Sequence, residues 1–225
     1  MATLDIIETN RIWPALPPLA DWEETCTTVH MWSQIVGKIR LELSPPINHS
    51  WGIALYVTTR GLTTSPIPYG TDIFALEFDF LHHALHISRT DGRKSSFALK
   101  PMPVAEFYRQ TMQALADVGI SIKIYAKPVE VVESIPFEQD TLHASYDADA
   151  IQRFWLALVQ ANRVFTEFRA RFIGKASPVH FFWGSFDLAG TRFSGRTAPK
   201  HPGGAPNCSS QRRCSAEIAA ASWPG

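Results

Sequence analysis

The chain is poor in cysteine. It has three, Cys26, Cys208 and Cys214, an odd number at wide spacing. That excludes a disulfide framework and a CxxC pair, and it fits unpaired thiols in a reducing, cytoplasmic compartment. The chain also lacks a charge bias, with 21 basic residues against 21 acidic ones. Nucleic acid is therefore not expected as the main partner, because phosphate backbones select basic surfaces. No apolar run approaches the roughly 20 residues of a membrane helix. No basic segment precedes an apolar one at the N-terminus, so neither a membrane anchor nor a signal peptide is expected. GxxxxGK[ST], GxGxxG, HExxH and GxSxG are all missing, so no motif implies a nucleotide, a metal or a serine nucleophile. No cofactor is expected.

Aromatic residues are plentiful: seven Trp and 14 Phe in 225 residues point to an aromatic core. The length suits one domain, expected over 21–199. An irregular lead at 1–20, broken by Pro14, Pro17 and Pro18, precedes it. A poorly ordered tail at 200–225, rich in Ala, Ser, Pro, Gly and Arg, follows it.

Asp21-Trp22-Glu23-Glu24 has capping-box spacing. It predicts a helix with the stripe Trp22, Cys26, Val29, Trp32, Val36, Ile39 and Leu43, stopped by Pro45-Pro46. Ile53–Thr59 reads as a strand, Gly61–Gly70 as a loop, and Ile73–Phe80 as a strand that alternates. There Phe74, Leu76, Phe78 and Phe80 face one way, and Glu77 and Asp79 the other. Leu85–Arg89 and Ser95–Leu99 are joined by an Asp91-Gly92 hairpin signal. Pro103 opens a second helix, which Gly119 ends. Ser121–Tyr125 reads as a short strand, and 127–146 as an extended acidic crossing. Asp147 caps a long helix over about 148–172, with Ile151, Phe154, Trp155, Leu158, Ala161, Phe165, Phe168 and Phe172 on its apolar face. A terminal hairpin turns at Gly184-Ser185, read as type II′. The fold class is α+β: a mostly antiparallel sheet, a meander plus the terminal hairpin, with about three helices mainly on one face.

The densest constellation is Pro178–Pro199. With a two-residue turn, Phe182 faces Asp187 and His180 faces Ala189. His180, Phe182 and Asp187 then share one face, and Phe181, Trp183, Phe186 and Leu188 the other. The His180–Asp187 pair is either a structural polar pair or a working acid/base group with its orienting carboxylate. Arg192 and Arg196 follow as anion-binding candidates. His30 lies one position off the first helix's stripe, as a partly buried histidine or a ligand contact; Cys26 four residues earlier is only a weak nucleophile signal.

A second polar face comes from Glu77, Asp79 and His86, if His82-His83 form the turn. Asp79 then faces His86 and Glu77 faces Ser88, with Tyr56 and Thr58 alongside if their strand is adjacent. This face is either simply wet or lines a groove. His82, His83 and His86 make no metal site without a sharp bend, since i and i+4 lie about 13 Å apart on a strand.

Several long words resemble a bacterial family known only as a domain of unknown function. They are Trp22 to Lys38 with Val29-His30-Met31-Trp32, the run from Arg60 to Gly70, His143-Ala144-Ser145-Tyr146-Asp147, Arg169 to Lys175, and above all Ser177–Arg196. The resemblance spans roughly 20–206 and implies no activity. It implies a C-terminus shortened or altered here, where Cys208–Gly225 replaces a further segment. The resulting expectation is a small-ligand-binding protein or enzyme, with a pocket of His180, Asp187 and Arg192 between the terminal hairpin and the first helix. A non-catalytic interaction protein and a metal-dependent hydrolase are the alternatives.

Overall fold

The computed structural model describes residues 13–196. The tail at 200–225, with Cys208 and Cys214, and most of the lead lie outside the described residues.

Helix α1 spans Glu23–Leu43 and stops at Ser44, just before the two prolines. Asp21 does not cap it. That residue closes a 3-10 turn, Leu19–Asp21, and the helix begins from Trp22 with no side-chain cap. Nearly every side chain from Thr25 to Leu41 is buried, polar ones included. The stripe read from the sequence describes a surface helix; the structure makes α1 a central one, because other elements pack around most of it. Helix α2 spans Val104–Asp117. Its end is set by Gly119 at φ +75°, a conformation in which glycine carries no Cβ penalty. Helix α3 spans Ala148–Ala170, and the Asp147 Oδ1 caps it by accepting from Ala150 N–H at 3.0 Å. Ile151, Trp155 and Leu158 in its first half are buried, whereas Val164 and Phe168 in its second half are exposed.

The main sheet has six antiparallel strands: β1 Tyr56–Val57, β2 Gly61–Thr63, β3 Ile67–Tyr69, β4 Asp72–Asp79, β5 Ala84–Arg89 and β6 Lys94–Ala98. Their order is β1-β2-β4-β5-β6, with β3 also on β4. The loop expected over 61–70 therefore holds two strands, and the strand expected over 53–59 shrinks to two residues. The cause is the eight-residue β4. The edge that faces away from β5 offers more backbone groups than one short strand satisfies, so β2 and β3 divide it. Pro68 fits there because an edge strand can spare one N–H. Gly61 is required, since a Cβ would overlap the backbone carbonyl of Phe78 across the β2–β4 ladder. Residues 120–126 form no strand, although Ile120 and Ile124 are buried.

The core is built around stacked rings. Phe78 of β4 stacks on Phe107 of α2 (6.2 Å, 8°), Phe107 on Trp32 of α1 (4.7 Å, 6°), and Trp32 on Tyr146 (5.3 Å). Fully burying each such side chain contributes about 1.5–3 kcal/mol. The terminal hairpin, β7 His180–Phe182 and β8 Asp187–Ala189, attaches to the sheet through Leu55 and Phe181, which exchange two backbone hydrogen bonds of 2.8 Å.

Candidate functional site

The hairpin register is the expected one: His180 faces Ala189, Phe181 faces Leu188 and Phe182 faces Asp187. The turn differs from the type II′ expectation. Positive φ falls on Phe186 (59°) and not on Gly184. Pro178, which has no N–H, interrupts the ladder; pairing resumes where Ser177 N–H donates to Thr191 O and Phe193 N–H to Lys175 O.

His180 and Asp187 share a face but do not pair. The His180 Nδ1–H donates to Pro178 O at 2.7 Å, its ring is sealed from solvent, and its Nε2 has no hydrogen-bond partner. Asp187 is exposed and accepts from the Ser185 hydroxyl instead. The Asp187 side chain is drawn along its own turn, so it does not orient the histidine. His30 is also engaged by the backbone. Its Nε2–H donates to Gly184 O at 2.8 Å and its ring packs on Phe186 at 4.9 Å. Burial lowers its pKa against the opposing pull of the Gly184 and Trp183 carbonyls, which favours the neutral ring. Phe186 also stacks on Phe154 at 5.4 Å and meets Phe181 at 5.2 Å. These rings pack together between α1 and the hairpin turn. Cys26 is half-buried, and burial pushes its thiol pKa up, which disfavours the thiolate.

Arg192 stands apart from these residues. Its guanidinium lies 3.3 Å from the Phe168 ring centroid and 5.3 Å from that of Phe172. A cavity of about 270 Å³ opens there between the second half of α3 and the segments that flank the hairpin, before β7 and after β8, lined by Val164, Phe165, Phe168, Arg169, Ser177 and Arg192. The Arg192 Nε is buried without a hydrogen-bond partner. Ser177 is fully buried and its Oγ accepts from Thr191 N–H at 2.8 Å. Among the described residues no carboxylate pairs with Arg169 or Arg192. Arg196 is exposed and is not part of the cavity lining.

On the meander, Phe80–His83 connect β4 to β5, so Glu77 faces His86 and Asp79 faces Ala84. This is two positions off the expected register. A shift of two preserves the face, so Glu77, Asp79 and His86 still lie together. Asp79 is fully buried rather than wet. Its Oδ1 accepts from Leu81 and His82 N–H, each at 3.0 Å. Its Oδ2 accepts from Arg60 Nε at 2.9 Å and Nη2, and from His82 Nδ1 at 3.1 Å, with His86 Nε2 at 3.4 Å. Burial alone would raise this carboxyl's pKa, but the Arg60 guanidinium and the His82 and Leu81 amides hold it well below the usual range. The His82 side chain is exposed, as expected, yet it turns its Nδ1 back onto the carboxylate. His83, at φ +50°, turns its Nδ1 into a hydrogen bond with the Tyr146 hydroxyl at 2.9 Å. Thr58 joins this face by donating to Glu77 at 2.8 Å. A carboxylate with this many donors is a structural knot and an orienter, and it stays ionised at neutral pH.

The same word recurs. Asp140-Thr141-Leu142-His143 repeats Asp79-Phe80-Leu81-His82 and folds the same way. Asp140 Oδ1 accepts from Leu142 and His143 N–H at 3.1 Å, and Oδ2 from His143 Nδ1 at 2.7 Å. Backbone carbonyls of this segment then receive the α2 N-terminus: Val104 N–H donates to His143 O and Ala105 N–H to Asp140 O, both at 3.0 Å. The repeated Asp-x-Leu-His word is legible in the sequence and marks both knots.

Also unforeseen is Lys38. His30, Gln34 and Lys38 recur at i, i+4 and i+8 on α1. Gln34 commits both amide atoms to Val129, accepting from its N–H and donating to its carbonyl, each at 2.8 Å. Lys38 is 1% exposed and its Nζ has no hydrogen-bond partner. The polar spacing inside an apolar stripe is the available signal. Among the described residues, no group of three or more His, Cys, Asp or Glu is arranged to hold a metal ion. No helix there is long and apolar enough to cross a membrane.

No curated protein and no solved structure matches the chain significantly. A family model does match, from residue 13 to residue 223, beyond both ends of the resemblance read from the sequence. The chain therefore belongs to the Family of unknown function (DUF5996).

Proposed function

We propose that the protein binds a small organic anion in the cavity between α3 and the terminal hairpin, with Arg192 as the charged anchor. The observation that carries this reading is a buried, unpartnered guanidinium nitrogen beside a half-open, mostly apolar space of about 270 Å³. Ligand pockets combine an apolar lining with a few convergent polar groups, typically in about 300–1,000 Å³, so the occupant is small. Val164, Phe165 and Phe168 face its apolar body. Arg192, with Arg169 beside it, takes the carboxylate or phosphate, and two cations without a carboxylate partner among the described residues favour that sign of charge. The Ser177 hydroxyl keeps its own proton to donate. The metal-dependent hydrolase alternative has no ligand group behind it among the described residues.

The test is a thermal-shift and native mass spectrometry panel of benzoate, hexanoate and phenyl phosphate, run on the wild type and on Arg192→Met. A ligand present at about a hundred times its Kd adds about 2.7 kcal/mol to stability. A shift in the wild type that Arg192→Met abolishes supports the reading. No shift from any of the panel, or an equal shift in Arg192→Met, refutes it.

A further inference from the structure

We propose that Lys38 is a nucleophilic amine site, set between Tyr125 and Trp183, that condenses with small aldehydes or ketones. Lys38 lies in the middle of α1, 1% exposed, with an Nζ that has no hydrogen-bond partner. Its two polar neighbours on the same face, His30 and Gln34, are engaged by the Gly184 and Val129 backbone. The amine instead lies 5.3 Å from the Tyr125 ring centroid and 5.8 Å from that of Trp183.

The walls are built for this. The Trp183 indole donates to Ile53 O at 2.9 Å, which fixes its plane. Gly37 leaves the room for it, since a Cβ there would overlap the ring. Tyr125 is half exposed and Trp183 is buried, so of the two rings beside the amine Tyr125 is the one that meets solvent. Among the described residues no carboxylate comes within ion-pairing distance of Nζ. The Glu130 carboxylate, on the neighbouring loop, lies against Gly184 instead.

Removal from water disfavours the charged form, and burial alone lowers the Lys38 pKa to about 8. At pH 7 an amine of that pKa has roughly 200 times the free-base fraction of an ordinary lysine near 10.4. An unpaired, desolvated lysine is one of the standard ways an amine becomes a nucleophile at neutral pH. In the reaction Nζ attacks the carbonyl carbon and a C–N bond forms. The carbonyl oxygen takes up the two protons lost from nitrogen and leaves as water, giving an imine. Nothing is oxidised or reduced, and hydrolysis reverses the step. This inference does not depend on the Arg192 cavity.

Propionaldehyde with cyanoborohydride, which traps the imine as a stable propyl amine, tests it on the intact protein. Peptide mass spectrometry reads labelling at Lys38 against the exposed Lys94, Lys100 and Lys123 from pH 6 to 10. The expected result is Lys38 labelled at least tenfold faster than those three at pH 7, with a rate that levels off near pH 8. Tyr125→Ala should accelerate Lys38 alone. Labelling of Lys38 at or below the rate of the exposed lysines in the wild type overturns the proposal. So does a Lys38 rate still climbing in parallel with theirs up to pH 10.

Discussion

Replacing Asp79 with asparagine isolates what the buried carboxylate contributes. The substitution preserves shape and leaves Oδ1 to accept from the Leu81 and His82 amides. At the second position it either presents an NH₂ donor to Arg60 and His82, which are donors themselves, or leaves a weaker neutral acceptor. A charge-assisted hydrogen bond is worth about 1.5–3 kcal/mol, and breaking a fully buried ion pair costs about 3–5 kcal/mol. The Arg60 side chain is 45% exposed and can turn to water, so the upper end does not apply. The expected loss is about 2–4 kcal/mol, which moves a urea midpoint by roughly 1–2 M at a typical slope of about 2 kcal/mol/M.

The pH dependence has a definite sign. The folded carboxyl has a depressed pKa, so its stabilisation is complete above the unfolded value of about 3.9 and is lost as pH falls toward the folded one. The Asp79→Asn variant has nothing to titrate at this position. The stability gap between wild type and variant should therefore be constant from pH 7 to 5 and narrow by about 1 kcal/mol by pH 3. Urea denaturation followed by tryptophan fluorescence measures both quantities. A gap under about 0.5 kcal/mol at pH 7, or one unchanged between pH 6 and 3, would refute the account of Asp79 as an ionised knot.

Glycine packing and helix capping give further outcomes. Gly61→Ala should lose more than about 3 kcal/mol or fail to fold, because its Cβ meets the Phe78 carbonyl, whereas Gly70→Ala, strained at φ +60° but with open space around it, should lose only about 1 kcal/mol; thermal melts of the pair separate collision from strain. Gly37→Ala should cost about 1–3 kcal/mol by displacing Trp183, and a Gly37→Ala melting temperature equal to the wild type's would remove the tight α1–Trp183 packing. Asp147→Ala should cost about 0.5–2 kcal/mol through the lost cap, with Asp147→Ser recovering most of it in the same denaturation assay.

Much of the fold is local chemistry, and local chemistry is legible. Pro45-Pro46 ends α1, Gly119 ends α2 and Asp147 starts α3, because each acts through its own backbone or that of a near neighbour. The alternation of Phe74, Leu76, Phe78 and Phe80 marks the core face of β4, because a strand's side-chain period is two. The same parity keeps Glu77, Asp79 and His86 together even though the turn is longer than the one read from the sequence. Residues 61–70 are not legible as strands: their pairing is dictated by the length of β4, a partner outside the segment.

Helix ends, the apolar face of β4 and the register of the terminal hairpin thus depend on residues a few positions apart, so the order of residues alone is enough to set them. Which polar groups are satisfied is instead set by packing. His180 has an acidic residue diagonally opposite, yet it bonds Pro178 while Asp187 bonds Ser185. Asp79, on a face that alternation leaves open to water, is sealed by Arg60 and a loop that folds back on it. Lys38 and Arg192 keep unpartnered nitrogens in the interior because the groups around them, Tyr125 and Trp183 in one case and Phe168 and Phe172 in the other, arrive from distant parts of the chain and are aromatic. Whether a buried charge finds a partner is a property of the assembled packing, which no local pattern encodes.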